Sequence, residues 1–157
     1  MAEVRSGCTL CEWSDLKPGQ FFIVKRREPE WCLRVSLDDN PDCSIVFSQN
    51  DVRGGGPWVS VGAQSGFPIQ VFPDAYITTN WRNSVKCADS DVPLGAIRSV
   101  DRRNLLLATV SPGRHLWLDV ETGSAQPKVA GHDGIFYPSW SLERHVTPEK
   151  SEQLFSL

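Results

Sequence analysis

Short apolar runs, each ended by glycine, proline or Asx residues, recur along this chain from end to end. Phe21-Phe22-Ile23-Val24 follows Pro18-Gly19, and Trp31-Cys32-Leu33-Arg34-Val35-Ser36-Leu37 alternates, with Trp31, Leu33, Val35 and Leu37 on one side. Alternation with a period of two is the pattern of a half-buried strand. Asp38-Asp39-Asn40-Pro41-Asp42 then supplies a turn whose Asx side chains can hydrogen-bond the local backbone. Ile45-Val46-Phe47, Trp58-Val59-Ser60-Val61 and Ile69-Gln70-Val71-Phe72 continue the series. Glycine (12) and proline (11) make up about 15% of the 157 residues, which disfavours long helices and favours turns.

After Pro73 the composition turns polar through Thr78, Asn80, Asn83 and Ser84, which predicts a linker. A second strand series follows at Ala96-Ile97, Leu105 to Val110, Leu116 to Val120 and Ile135-Phe136-Tyr137. Val100–Val110 could instead be a short helix by the propensity of Arg102, Arg103 and three Leu, but the flanking strands favour a strand. Thr147-Pro148-Glu149 has the N-cap, first-turn proline and acid of a helix start, so a short C-terminal helix carrying Leu154, Phe155 and Leu157 is expected.

The two series look related. Asp15, Gly19, Val24, Arg26 and Arg27 recur 76 positions later as Asp91, Gly95, Val100, Arg102 and Arg103, which suggests an internal duplication. Leu16-Lys17-Pro18-Gly19 ahead of an apolar strand, with four more short strands behind it, is similar to SH3-like small barrels over residues 14–75. The expected fold is therefore all-β, with two consecutive small SH3-like β-barrels and a short C-terminal helix. Its parts would be an arm at 1–13, barrels at 14–75 and 91–147, a linker at 76–90, and a helix or tail at 148–157. A barrel of the second unit's size is near the lower limit for a self-sufficient core, so a buried interface between the units is expected.

Sixteen basic against nineteen acidic residues give a net charge of −3. Nucleic-acid binders draw most of their affinity from phosphate neutralisation, so this balance disfavours that class. No signal-peptide pattern and no apolar run of membrane-spanning length is present, which points to the cytoplasm and away from membranes. The odd count of five cysteines fits free thiols in a reducing compartment.

Chemical motifs are sparse. Cys8-Thr9-Leu10-Cys11 has the CxxC spacing of half a zinc site, but Cys32, Cys43 and Cys87 stand alone, so no metal or other cofactor is expected and Cys8 and Cys11 remain weak candidates. Asp38, Asn40 and Asp42 open like a calcium loop, which Cys43 and Gln49 then break at the positions that need Gly and Glu. Gly54-Gly55-Gly56 lacks the Lys-Ser/Thr and helix of a phosphate loop. His115, His145 and Gly131-His132-Asp133-Gly134 show no nucleophile spacing. The most informative set is aromatic and basic: Trp58, Trp81 and Arg82 with the pairs Arg26-Arg27 and Arg102-Arg103. Tryptophan and arginine dominate protein-contact hot spots. Trp81, in the polar stretch Asn80-Trp81-Arg82-Asn83, is the tryptophan least explained by core packing.

These observations predict a non-enzymatic cytoplasmic adaptor that holds a protein or peptide near the junction of its lobes. A single-stranded nucleic-acid module, using the same aromatics and arginines as a stacking platform, is the first alternative. A small hydrolase or zinc protein is the second.

Overall fold

A computed structural model describes residues 9–47, 56–64, 66–87, 91–100, 102–126 and 134–157. Strands dominate, as the alternating apolar runs predict. In the first half they are β1 (Thr9–Cys11), β2 (Phe21–Val24), β3 (Glu30–Leu37), β4 (Asn40–Val46), β5 (Trp58–Val61), β6 (Ile69–Phe72) and β7 (Tyr76–Thr79). The second half carries β8 (Val85–Cys87), β9 (Ile97–Val100), β10 (Arg103–Ser111), β11 (Arg114–Asp119), β12 (Ala125–Gln126), β13 (Gly134–Tyr137), β14 (Trp140–Thr147) and β15 (Lys150–Ser156).

The two halves follow one path. The first runs β1-β6-β2-β3-β4-β5 and the second β8-β13-β9-β10-β11-β12. Their registers correspond bond for bond. Gly19 N–H donates to the Arg34 carbonyl and Arg34 N–H to the Gln20 carbonyl; Gly95 donates to Leu107 and Leu107 to Ala96 in the same way. Gly19 and Gly95 both have positive φ (89° and 85°), the left-handed turn from which β2 and β9 each start.

The halves also exchange contacts reciprocally. Ser36 N–H donates to the Gly123 carbonyl at 2.8 Å, and Thr109 N–H to the Pro57 carbonyl at 2.9 Å. Parallel bridges Ser36↔Ser124 and Thr109↔Trp58 accompany them. β7 and β14 then pair antiparallel, with Ile77 opposite Leu142, in a second sheet ordered β15-β14-β7. A near two-fold relation thus links the halves, with Ile77 and Leu142 at its centre.

This exchange corrects the expectation of two closed barrels. β5 pairs across to β10 of the other half, so the large sheet stays open from β1 to β8. The C-terminal helix is also corrected. Residues 150–156 form β15, because Leu142↔Phe155 pairing brings Phe155 against Phe47, Trp31 and Trp140. That tertiary burial outweighs the local capping signal of Thr147-Pro148-Glu149, which instead makes the hairpin turn. Within 76–90, the polar stretch expected as a linker, β7 pairs with β14 and β8 with β13. Of the expected 1–13 arm, Thr9–Cys11 pair with β6, and Trp13–Asp15 form a one-turn 3-10 helix.

Burial follows the same plan. A central core includes Leu33, Val35, Ile45, Ile97, Leu106, Leu118, Trp140 and Leu142, drawn from both halves. Each half has its own smaller core on the other sheet face: Phe22, Val24, Cys32 and Ile69 in one, Leu105, Leu107, Trp117 and Phe136 in the other. β3 is consequently buried on both faces, not one, since Cys32 and Arg34 are buried as well as Leu33 and Val35.

Candidate functional site

The basic and aromatic residues singled out above do not converge. Arg26 and Arg27 are exposed beyond the end of β2. The Arg26 guanidinium lies 4.7 Å from the Phe67 ring centre, donates to Gln64 Oε1 at 2.7 Å and sits 3.4 Å from Glu30. Arg102 (φ 67°) lies in the turn between β9 and β10, and Arg103, the first residue of β10, reaches within 3.9 Å of the buried Asp119 carboxylate. Asp119 Oδ1 caps the turn at Glu121 and Thr122, and a Cβ at Gly19 would run into the Glu121 carbonyl. That turn therefore packs at the start of β2 while Arg26 stands past its far end. The two arginine pairs form no common patch. Trp58 is half-buried at the first residue of β5, on the bridge between the halves.

Trp81 is different. It opens a one-turn 3-10 helix, Trp81–Asn83, between β7 and β8, and is 73% exposed. The turn is braced from inside. Asn80 Oδ1 accepts the Arg82 N–H at 3.0 Å, and the Trp81 carbonyl accepts the Ser84 hydroxyl at 2.6 Å and the Ser84 N–H at 3.1 Å. Arg82 sits 5.6 Å from the indole centre. In a 3-10 turn residues three apart eclipse, so Asn80 and Asn83 share a side and the indole projects about a third of a turn away. Those two asparagines, with Thr78, Thr79, Ser139 and Ser156, line a groove of about 240 Å³ with no charged side chain among the described residues that line it. The backbone is held while the side chain is offered to solvent.

A second groove, of about 670 Å³, lies between Cys11–Ser14 and the stretch that includes Gln64, Phe67 and Pro68. Its indole is already engaged. Trp13 Nε1 donates to Asp42 Oδ1 at 3.2 Å and its ring carries the Arg34 guanidinium at 4.4 Å. Arg34 is 7% exposed; Nη1 reaches the carbonyls of Val35, Pro41 and Cys43, and Nη2 donates to Asp42 at 3.1 Å. Asp42, read in sequence as a turn residue, thus helps lock β3 and β4 to the Trp13 turn. Alternation hides this cluster, since Arg34 sits between Leu33 and Val35 at a position the pattern assigns to solvent.

The remaining motifs hold no assembled chemistry. Cys8, Gly54-Gly55 and 131–133 lie outside the described residues. Burial, and then the nearby Asp15, raise the Cys11 thiol above its ordinary value. Among the described residues no three His, Cys, Asp or Glu side chains are placed to hold a metal ion. His115 Nδ1 lies 3.4 Å from the Thr109 hydroxyl, and His145 stacks on Tyr76 with ring centres 4.8 Å apart. Among the described residues no helix is long and apolar enough to cross a membrane. Comparison with family models, curated proteins and solved structures returned no match to this chain.

Proposed function

We propose that this protein is a non-enzymatic cytoplasmic binding module, and that it engages a protein or peptide through the connector between β7 and β8. One observation carries the reading: Trp81 is 73% exposed on a turn whose backbone is hydrogen-bonded into a single shape. An indole held this way loses little conformational entropy on binding and brings a large contact area, the signature of an interface anchor. Arg82 beside it favours an acidic or carboxylate-bearing partner surface. The separation of Arg26-Arg27 from Arg102-Arg103 weighs against a continuous phosphate-tracking surface. The matched registers support reading the halves as two copies of one ancestral unit.

The test is recovery of partners from the native host by the full chain and by Trp81→Ala, compared by mass spectrometry. Proteins held by the unmodified chain and lost with the variant support the reading. Identical recovery, with an unchanged melting temperature, overturns it.

A further inference from the structure

β7 and β14 occupy equivalent places about the two-fold relation, since Ile77 and Leu142 face each other at its centre. Their outer edges are treated differently. β14 is covered by β15, with Leu142↔Phe155 and Arg144↔Glu152 in register and Trp140 and Leu157 exchanging backbone bonds. Among the described residues β7 pairs with β14 alone, so its outer edge carries unbonded N–H and C=O groups. Exposed edges are normally blunted by charge, proline or brevity. Edge strand β15 has Lys150 and Glu152, β8 has Lys86, and β1 and β12 are only three and two residues long; the four-residue β7 offers Tyr76-Ile77-Thr78-Thr79, with neither charge nor proline.

We infer that the outer edge of β7 is a strand-addition site, taking an extended peptide from the protein partner in the place that β15 takes on β14. This deepens the reading of Trp81 as a contact and rests on it, because β7 runs directly into that turn. The position of β15 states the chemistry of the occupant. Phe155 lies opposite Leu142, so the peptide needs a large apolar side chain opposite Ile77. The Glu152 position falls near Thr79 and the residues beyond it pass Trp81 and Arg82, so an acidic residue belongs at that end. Backbone bonds would supply affinity, and these two positions selectivity.

A synthetic peptide copying residues 147–157 (TPEKSEQLFSL, ends blocked) is the probe, titrated into the full ¹⁵N-labelled chain. The expected result is saturable shifts at 75–82, slowed amide exchange at alternate residues of β7, and a dissociation constant on the order of 0.1–1 mM. A peptide with serine in place of its phenylalanine should bind about tenfold more weakly. No saturable shift, a scrambled peptide acting equally, or shifts confined to β14 through displacement of β15 would each overturn the site. Concentration-dependent protection of β7 without peptide, in a species of dimer mass, would overturn the peptide occupant in favour of a second copy. Protection of β7 undiminished by Trp81→Ala supports strand addition while removing Trp81 as its anchor. Partner loss in Trp81→Ala, with no peptide effect at β7, overturns strand addition and leaves the Trp81 contact standing.

Discussion

Among the described residues two arginine–tryptophan pairs stand in opposite surroundings. Arg34 lies 4.4 Å over Trp13 with Nη1 and Nη2 engaged by three carbonyls and Asp42, although its buried Nε has no partner among the described residues; Arg82 lies 5.6 Å from Trp81 with both side chains in solvent. Residue type is the same and the local chemistry is similar. What separates them is where the backbone carries them: the first pair closes one face of β3, and the second crowns a turn that nothing covers among the described residues. A cation on an indole braces the fold where most of its donors meet internal acceptors; where both groups face solvent, as at Trp81, it is available for the contact proposed above.

The largest effect should come from the locked pair. Arg34→Met leaves three carbonyls short of a donor and should lower stability by about 3 kcal/mol, a fall of roughly 6–12 °C in Tm. A shift below about 2 °C would break the contrast at its root. Next, Gly19→Ala puts a side chain at φ 89° and against the Glu121 carbonyl, beside the bond that Gly19 donates to Arg34. A loss of about 2 kcal/mol is expected in urea unfolding, and Gly62→Ala, with open space around its Cβ, is the control that isolates the clash from the backbone strain.

Cys32, on the same strand, tests burial through pH. Burial, and then Glu30, push its thiol up to about 12, against the smaller opposing pull of Arg26. The folded chain therefore keeps the proton after the unfolded chain, near 9.0, has lost it, and stability is present below about pH 9 and lost as pH rises towards about 12. Relative to Cys32→Ala, the unmodified chain should lose up to about 1.4 kcal/mol per pH unit in that window. Parallel stability curves for the two proteins at pH 8 and pH 10 would mean the strand is wetter than its packing implies. The smallest change is expected on the exposed side. Trp81→Ala should alter stability by less than about 0.5 kcal/mol while weakening the partner by about thirtyfold, measured by calorimetry on a partner once recovered. A stability loss comparable to that of Arg34→Met would erase the distinction between the two pairs.

Most strands were legible because alternation and turn residues are local. Phe21–Val24, Trp58–Val61 and Ile69–Phe72 stand as strands within the bounds that their flanking Gly and Pro suggest. Trp81 was legible as an outlier, an aromatic in a polar stretch, and its exposure fits. Arg34, Trp13 and Asp42 were not, because their meeting depends on residues 29 positions apart closing over β3. The free edge of β7 was equally hidden, since an edge is defined by what fails to pair with it.

The recurrence of Gly19 at Gly95 and of Val24 at Val100 marks equivalent strand starts and ends, and that much the chain carries by itself: short strands, their turns and the left-handed glycines that launch them. Whether those strands close into barrels was decided by pairing between halves, where β5 meets β10 and β7 meets β14. Backbone hydrogen-bonding capacity is the same at every residue except proline, so sequence sets which segments extend and only the assembled sheet sets their neighbours. The same reason turned the C-terminal segment from a capped helix into β15, because the aromatic cluster that receives Phe155 exists only once both halves have folded together.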